Sequence, residues 1–124
     1  MNEKKQKRIL IIEDEKPMAR ALELKISHAG FEAHSVSNGE EGLALLEKEK
    51  FDRVLLDLIM PKLNGFGVLE EMKKRGIKTP AMVQTNLAQE EDEKRAKALG
   101  AKEFFIKSNT PIAEIVEQIK NFFK

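Results

Sequence analysis

Five polar residues stand at the ends of apolar runs. Glu13 and Asp14 follow Ile9-Leu-Ile-Ile12, Asp57 follows Val54-Leu-Leu56, Thr85 follows Ala81-Met-Val-Gln84, and Lys107 follows Phe104-Phe-Ile106. Three carboxylates brought together repel one another, so at least one should bind its proton more tightly unless a cation intervenes. An all-oxygen set on an open rim suits Mg²⁺, which keeps waters and takes one or two carboxylates. A cation, an ammonium and a hydroxyl together grip a phosphate. Asp57, the central acid, could then serve as a nucleophile that forms an acyl phosphate. Taken singly, each residue has a plainer explanation: acids cap the next helix, a threonine ends a strand, a lysine is solvated. All five meeting on one rim by accident is a much weaker explanation than any one of these.

The elements that must carry them are legible. Val54 to Leu56 is apolar throughout, as in a strand buried on both faces. Pro61 and Asn64-Gly65 then break it. Arg8 to Ile12 reads as a second buried strand. Phe31 to Ser37 alternates loosely and reads as an edge strand. Ala81 to Thr85 and Lys102 to Ile106 complete the set. Helices are expected between them: one near Pro17 ending at Gly30, one after an Asn38/Glu41 capping pair, and one from Phe66 to Arg75 stopped by Gly76. A fourth opens on Glu90-Glu-Asp-Glu93 and ends at Gly100. The fifth is expected to be capped by Thr110, with Pro111 as its first residue and an apolar stripe running to Phe122 and Phe123. Alternating strands and helices imply an α/β domain with a doubly wound parallel five-stranded sheet. The edge-like second strand selects the order 2-1-3-4-5, with a crevice at the carboxyl end of the first strand.

Bulk properties exclude several classes. The 124 residues suffice for one domain and carry a net charge of +1, so no global field recruits nucleic acid or membrane. The absence of cysteine removes disulfides, thiolate metal sites and Cys nucleophiles. No apolar run approaches a membrane span and no signal-peptide core follows the basic start, so a cytoplasmic home is expected. Residues 1–7 read as a basic tail ahead of a domain at 8–124, within a locally basic stretch running Lys4-Lys5-Gln6-Lys7-Arg8. Neither phosphate-loop motif of nucleotide-binding proteins occurs.

Ile9-Leu-Ile-Ile-Glu-Asp-Glu15, Val54-Leu-Leu-Asp-Leu-Ile-Met-Pro-Lys-Leu-Asn-Gly65, Thr85 and Lys107 together resemble the receiver domain (CheY-like) of two-component response regulators. The resemblance spans about residues 7 to 123 and implies a flavodoxin-like (βα)5 fold. It implies that Asp57 accepts a phosphoryl group from a sensor histidine kinase or histidine phosphotransfer protein. It further implies one Mg²⁺ held by Asp14, Asp57 and the backbone carbonyl of Ile59, with Glu13 acting through water. Thr85 and Lys107 would bond the phosphoryl oxygens, and Phe104 holds the family's aromatic-switch position. The readout would be the surface of the fourth helix, fifth strand and fifth helix, which meets an output protein or a missing output domain. A homodimer on phosphorylation is allowed for. The chain stops at its fifth helix, so no output domain is expected within it.

The chain also departs from the family pattern. Lys107-Ser108 replaces Lys-Pro, Phe104 lacks a hydroxyl, and Asn86 replaces a small residue. Gln84 is a polar residue in a strand expected to be buried. Ile59 and Leu87 are apolar where water would be oriented for attack, so slow hydrolysis of the acyl phosphate is expected. His28 and His34 are expected to lie away from the rim. The resemblance implies a signalling switch, not a turnover enzyme. The rival readings are a Mg²⁺-dependent aspartyl-phosphate phosphohydrolase, which would want an acid at Ile59, and a non-phosphorylated receiver-like scaffold.

Overall fold

Every apolar run becomes a parallel strand in the computed structural model, which describes residues 6–60, 63–87 and 89–123. The strands are β1 (Arg8–Ile12), β2 (Glu32–Val36), β3 (Arg53–Leu56), β4 (Ala81–Thr85) and β5 (Ala101–Ile106). The helices are α1 (Lys16–His28), α2 (Gly39–Lys48), α3 (Gly65–Lys74), α4 (Glu90–Ala98) and α5 (Ile112–Phe122), and a 3-10 turn spans Lys107–Asn109. One five-stranded parallel sheet runs β2-β1-β3-β4-β5, the expected order. Gly30, Gly76 and Gly100 take φ of 101°, 69° and 108° just after their helices, a left-handed conformation that a Cβ would strain.

Side chains alternate across a strand, and this divides the core in two. Leu10, Ile12, Val54, Leu56, Ala81 and Val83 pack under α2, α3 and α4 against residues such as Leu43, Leu69 and Ala96. Ile9, Ile11, Leu55 and Met82 pack under α1 and α5 against Leu22, Ile26, Ile115 and Ile119. Each fully buried Leu or Ile stabilises the fold by about 1.5–3 kcal/mol. The alternation sets where polar residues land once the apolar runs stop. Glu13 continues the Ile9–Ile11 face, Asp57 continues Leu55, and Gln84 continues Met82. Thr85 continues the opposite face, that of Ala81 and Val83.

The β4–β5 pairing is irregular at its start. Ala81 lies opposite Ala101, but Met82 lies opposite Glu103, so Lys102 is a spare residue in the ladder. Beyond the slip the pairing is regular to Thr85 opposite Ile106.

Two local expectations are corrected. The residue flanking α5 is Pro111, not Thr110, and the helix starts at Ile112; Pro111 has the extended ψ of 151° that a helix entry needs. Arg8 opens β1, as expected. Its guanidinium donates to Glu32 at 2.9 Å, Glu49 at 2.7 Å and the Lys50 carbonyl at 2.8 Å. Phe122 is not part of the buried stripe; it is 36% exposed and lies 3.5 Å from the guanidinium of buried Arg53, a cation–π stack. Lys4 and Lys5 lie outside the described residues.

Gly65 marks a close backbone approach near the sheet's carboxyl edge. A Cβ there would meet the Asp57 carbonyl at 2.5 Å and the Leu58 Cα at 2.6 Å, both backbone atoms that cannot swing aside. Asn64 caps α3 at this point by accepting from the Gly67 N–H at 3.0 Å. Gly65→Ala is therefore expected to destabilise the protein by about 1–3 kcal/mol, the usual cost of overpacking. A thermal melt checks this, and an unchanged melting temperature contradicts the close approach.

Candidate functional site

The site is assembled where strands stop. Ile12 pairs with Leu56, and the Asp57 N–H then donates to the Ile12 carbonyl at 3.1 Å, which sets Asp57 beside Glu13. The Asp57 carboxylate turns back on its own loop, where Oδ1 accepts from the Ile59 N–H at 3.1 Å. Asp57 and Glu13 are 3% and 1% exposed, so both charges are largely withdrawn from water. Carboxylate oxygens of Glu13, Asp14 and Asp57 all lie within 4.8 Å of one another.

Lys107, brought in by the end of β5, bridges this group. Its Nζ lies 2.8 Å from Glu13 Oε1, 2.9 Å from Asp57 Oδ2 and 3.3 Å from Glu15 Oε1. The β5–α5 connection that carries it holds no cis peptide bond. Asp14, Glu15, Asp57, Ile59, Asn86 and Lys107 line an open pocket of about 300 Å³. The first-strand acids, Asp57 and Lys107 are thus brought together as the sequence implied.

Burial is the first cause of the Glu13 shift. It pushes that carboxyl above its usual range, while the Lys107 hydrogen bond and the Glu15 N–H pull it back and the Asp57 charge adds to the rise. Mutual repulsion, the cause expected from sequence, is therefore the lesser one. Burial alone would lower the Lys107 ammonium, but its hydrogen bonds to Glu13 and Asp57 outweigh that and hold it above the ordinary lysine range. One cation facing this many acids leaves an uncompensated negative charge, and the oxygen-only donor set fits a hard divalent ion.

Thr85 is fully buried on the opposite face. Its hydroxyl accepts from the Leu87 N–H at 3.3 Å, and among the described residues it makes no hydrogen bond to Asp57 or Lys107. Phe104 sits on the same face as Thr85, half-buried against the cluster under α2, α3 and α4. His28 is exposed, and His34 pairs with Glu32 at 2.7 Å on the edge strand, so neither approaches the pocket. Sequence reasoning misses two members of the network. Glu15 donates its N–H to Glu13 and offers its carboxylate to Lys107. Gln84 donates from Nε2 to Glu13 Oε1 at 2.9 Å. The alternation Met82–Gln84, counted against Ile11–Glu13, is the signal that would place Gln84 on this face.

Fold and pocket define a doubly wound α/β domain whose acids and lysine converge at the carboxyl edge of its sheet. The chain belongs to the response regulator receiver domain family, whose model matches residues 9–120. It is 36% identical over 104 residues to a probable transcriptional regulator ycf27 of Porphyridium aerugineum, covering 84% of this chain and 43% of that protein. It is 33% identical over 100 residues to the cell cycle response regulator CtrA of Brucella ovis, covering 81% and 43%. The chain spans less than half the length of these relatives. A CheY-like receiver domain protein from Methanospirillum hungatei superposes with a TM-score of 0.87 at 26% identity, over 94% of this chain and 93% of that one. The receiver domain of the Francisella response regulator 1452 shares the fold, with a TM-score of 0.87 at 23% identity over 93% and 94%. Receiver domains are the phosphorylation-based switches of two-component signalling, and this chain is one by family. No helix among the described residues is long and apolar enough to cross a membrane.

Proposed function

We propose that this receiver domain is switched by phosphorylation of Asp57, in a Mg²⁺-dependent transfer from a sensor histidine kinase or histidine phosphotransfer protein. The observation that carries the reading is the Lys107 bridge between Asp57 and Glu13, at 2.9 and 2.8 Å, inside a trio of acids. An Asp57 carboxylate oxygen attacks the phosphorus of the phosphohistidine. The P–O bond forms as the P–N bond breaks, and the imidazole leaves with the bonding pair and takes up a proton. Asp14, Asp57 and the Ile59 carbonyl would hold the metal, backed by Glu13. That ion would supply charge neutralisation for phosphoryl oxygens. Lys107, already at Asp57, neutralises a further oxygen.

Residues 8–124 would form the receiver unit and residues 1–7 a basic lead-in. After transfer, the new charge and acceptor oxygens attract Lys107 and the Thr85 hydroxyl. Thr85 would have to give up the Leu87 N–H to turn toward the phosphoryl group. Phe104, on the same face, would then repack into the vacated space. Moving such an equilibrium from mostly off to mostly on takes about 5.5 kcal/mol of differential interaction. The surface of α4, β5 and α5 would carry this change to an output protein or to an output domain. A homodimer formed on phosphorylation is one form that output could take.

Acetyl phosphate with Mg²⁺, followed by intact mass, tests the assignment. One phosphoryl gain that requires Mg²⁺ supports the switch; sustained phosphate release from varied substrates would favour the phosphohydrolase reading instead. The lifetime of the adduct is a separate prediction. Ile59, exposed at the pocket mouth, and Leu87 have no group to orient an attacking water. Without general-base assistance, the acyl phosphate should persist for many minutes in a single-turnover decay. Decay within seconds to about a minute, with no phosphatase added, would contradict it.

A further inference from the structure

Gln84 is fully buried, and its amide reaches Glu13, which is 71 residues away in sequence. The same Glu13 oxygen, Oε1, also receives the Lys107 ammonium at 2.8 Å, while Oε2 accepts from the Glu15 N–H at 3.1 Å. The amide orientation follows from the acceptor, because a carboxamide oxygen turned to a carboxylate oxygen would be repelled. Gln84 Oε1 is then left buried with no partner. An apolar side chain such as neighbouring Met82 would fill the place without an orphaned atom. The amide accepts that cost and supplies Glu13 with a neutral donor at 2.9 Å.

Lys107 explains why. Its ammonium lies against three acids, hydrogen-bonded to Asp57 and Glu15 and ion-paired with Glu13. A phosphoryl oxygen on Asp57 would compete with these contacts for the ammonium. Glu13 is the buried partner, and without Gln84 the loss of its cation would leave a carboxylate held by one backbone N–H. Resting on the phosphoacceptor reading above, we infer that Gln84 is a positioning residue that stays on Glu13 while Lys107 turns to the phosphoryl group. A fixed neutral donor keeps the buried acid satisfied and makes the lysine free to move.

The test is a double-mutant cycle on Gln84→Met and Glu13→Gln. Beryllium fluoride, a tetrahedral phosphoryl mimic, is titrated at saturating Mg²⁺ and followed by amide NMR. With Glu13 present, Gln84→Met should weaken binding about three- to tenfold, the scale of one hydrogen bond. In the Glu13→Gln background the loss should shrink to within about twofold, because no buried charge remains to satisfy. Gln84→Leu should repeat the result. Both apolar variants should fold, since Leu55 and Met82 already line this face; failure of both to fold makes Gln84 a core residue and overturns the inference. An equal loss in the two backgrounds, or no loss in either, overturns it as well. Wild type that takes up no beryllium fluoride at Asp57 refutes the phosphoacceptor reading itself. Wild type that binds normally, with Gln84→Met unchanged, refutes only the role given to Gln84.

Discussion

Asp57→Asn is expected to yield a folded protein that gains no phosphoryl group from acetyl phosphate and Mg²⁺. A carboxamide oxygen is a poor nucleophile, and the variant removes one of the acids meant to hold the cation. The fold should survive because Lys107 keeps Glu13 at 2.8 Å and Glu15 at 3.3 Å. One carboxylate fewer faces that single ammonium, so the metal-free variant should melt no lower than wild type. Stabilisation by added Mg²⁺, which follows ligand occupancy of the native state, should shrink in the same variant. Intact mass and a melt with and without Mg²⁺ check these outcomes together. A phosphoryl group found on the Asp57→Asn variant would move the acceptor elsewhere.

Lys107→Met is expected to have the largest effect on stability. It removes the cation from two carboxylates that are 1% and 3% exposed, and a buried charge left unpaired is among the costliest defects. The low end of the usual range, roughly 3 kcal/mol, applies because the pocket is open on one side. For a domain of this size that lowers the metal-free melting temperature by on the order of 10 °C. The pH dependence has a definite sign. In wild type the raised Lys107 value contributes stability that is fully present below the ordinary lysine range and is lost only in strong alkali. Glu13 is already raised by burial, so the native state holds its proton more tightly than the unfolded chain. Its effect on stability therefore declines as pH rises from the usual carboxylate range through the folded value. Without the Lys107 hydrogen bond that pulls Glu13 down, this window extends upward. The variant should thus lose stability on going from pH 5 toward neutrality more steeply than wild type. Equal slopes for the two proteins would show that Lys107 does not compensate Glu13.

The strand order is legible in the chain because Glu32–Val36 alternates loosely, as an edge strand does, while the first and third strands are apolar runs that must lie inside the sheet. The pocket is legible because Glu13, Asp14, Asp57 and Lys107 directly follow those runs. The Gln84 contact is not, since a hydrogen bond from β4 to an acid beyond β1 spans an intervening strand. Only the sheet order combined with the side-chain alternation points to it. The α5 start differs by one residue from the expected cap at Thr110, because Thr and Pro are both good helix-entry residues and composition does not rank them. The place of Arg8 in the first strand is legible, but its ion pairs are not. Its partners Glu32 and Glu49 are distant in sequence and come beside it only through folding.

The spare residue at Lys102 has a bearing on how the molecule tolerates change. In an unbroken strand, a lost residue would turn every later side chain to the other surface of the sheet. Here Ala101 and Glu103 already oppose adjacent positions of the neighbouring strand. Dropping the residue between them would straighten the ladder and leave Glu103 opposite Met82. The foot of β5 therefore holds slack, and the lysine at its far end is insulated from small differences in length below it.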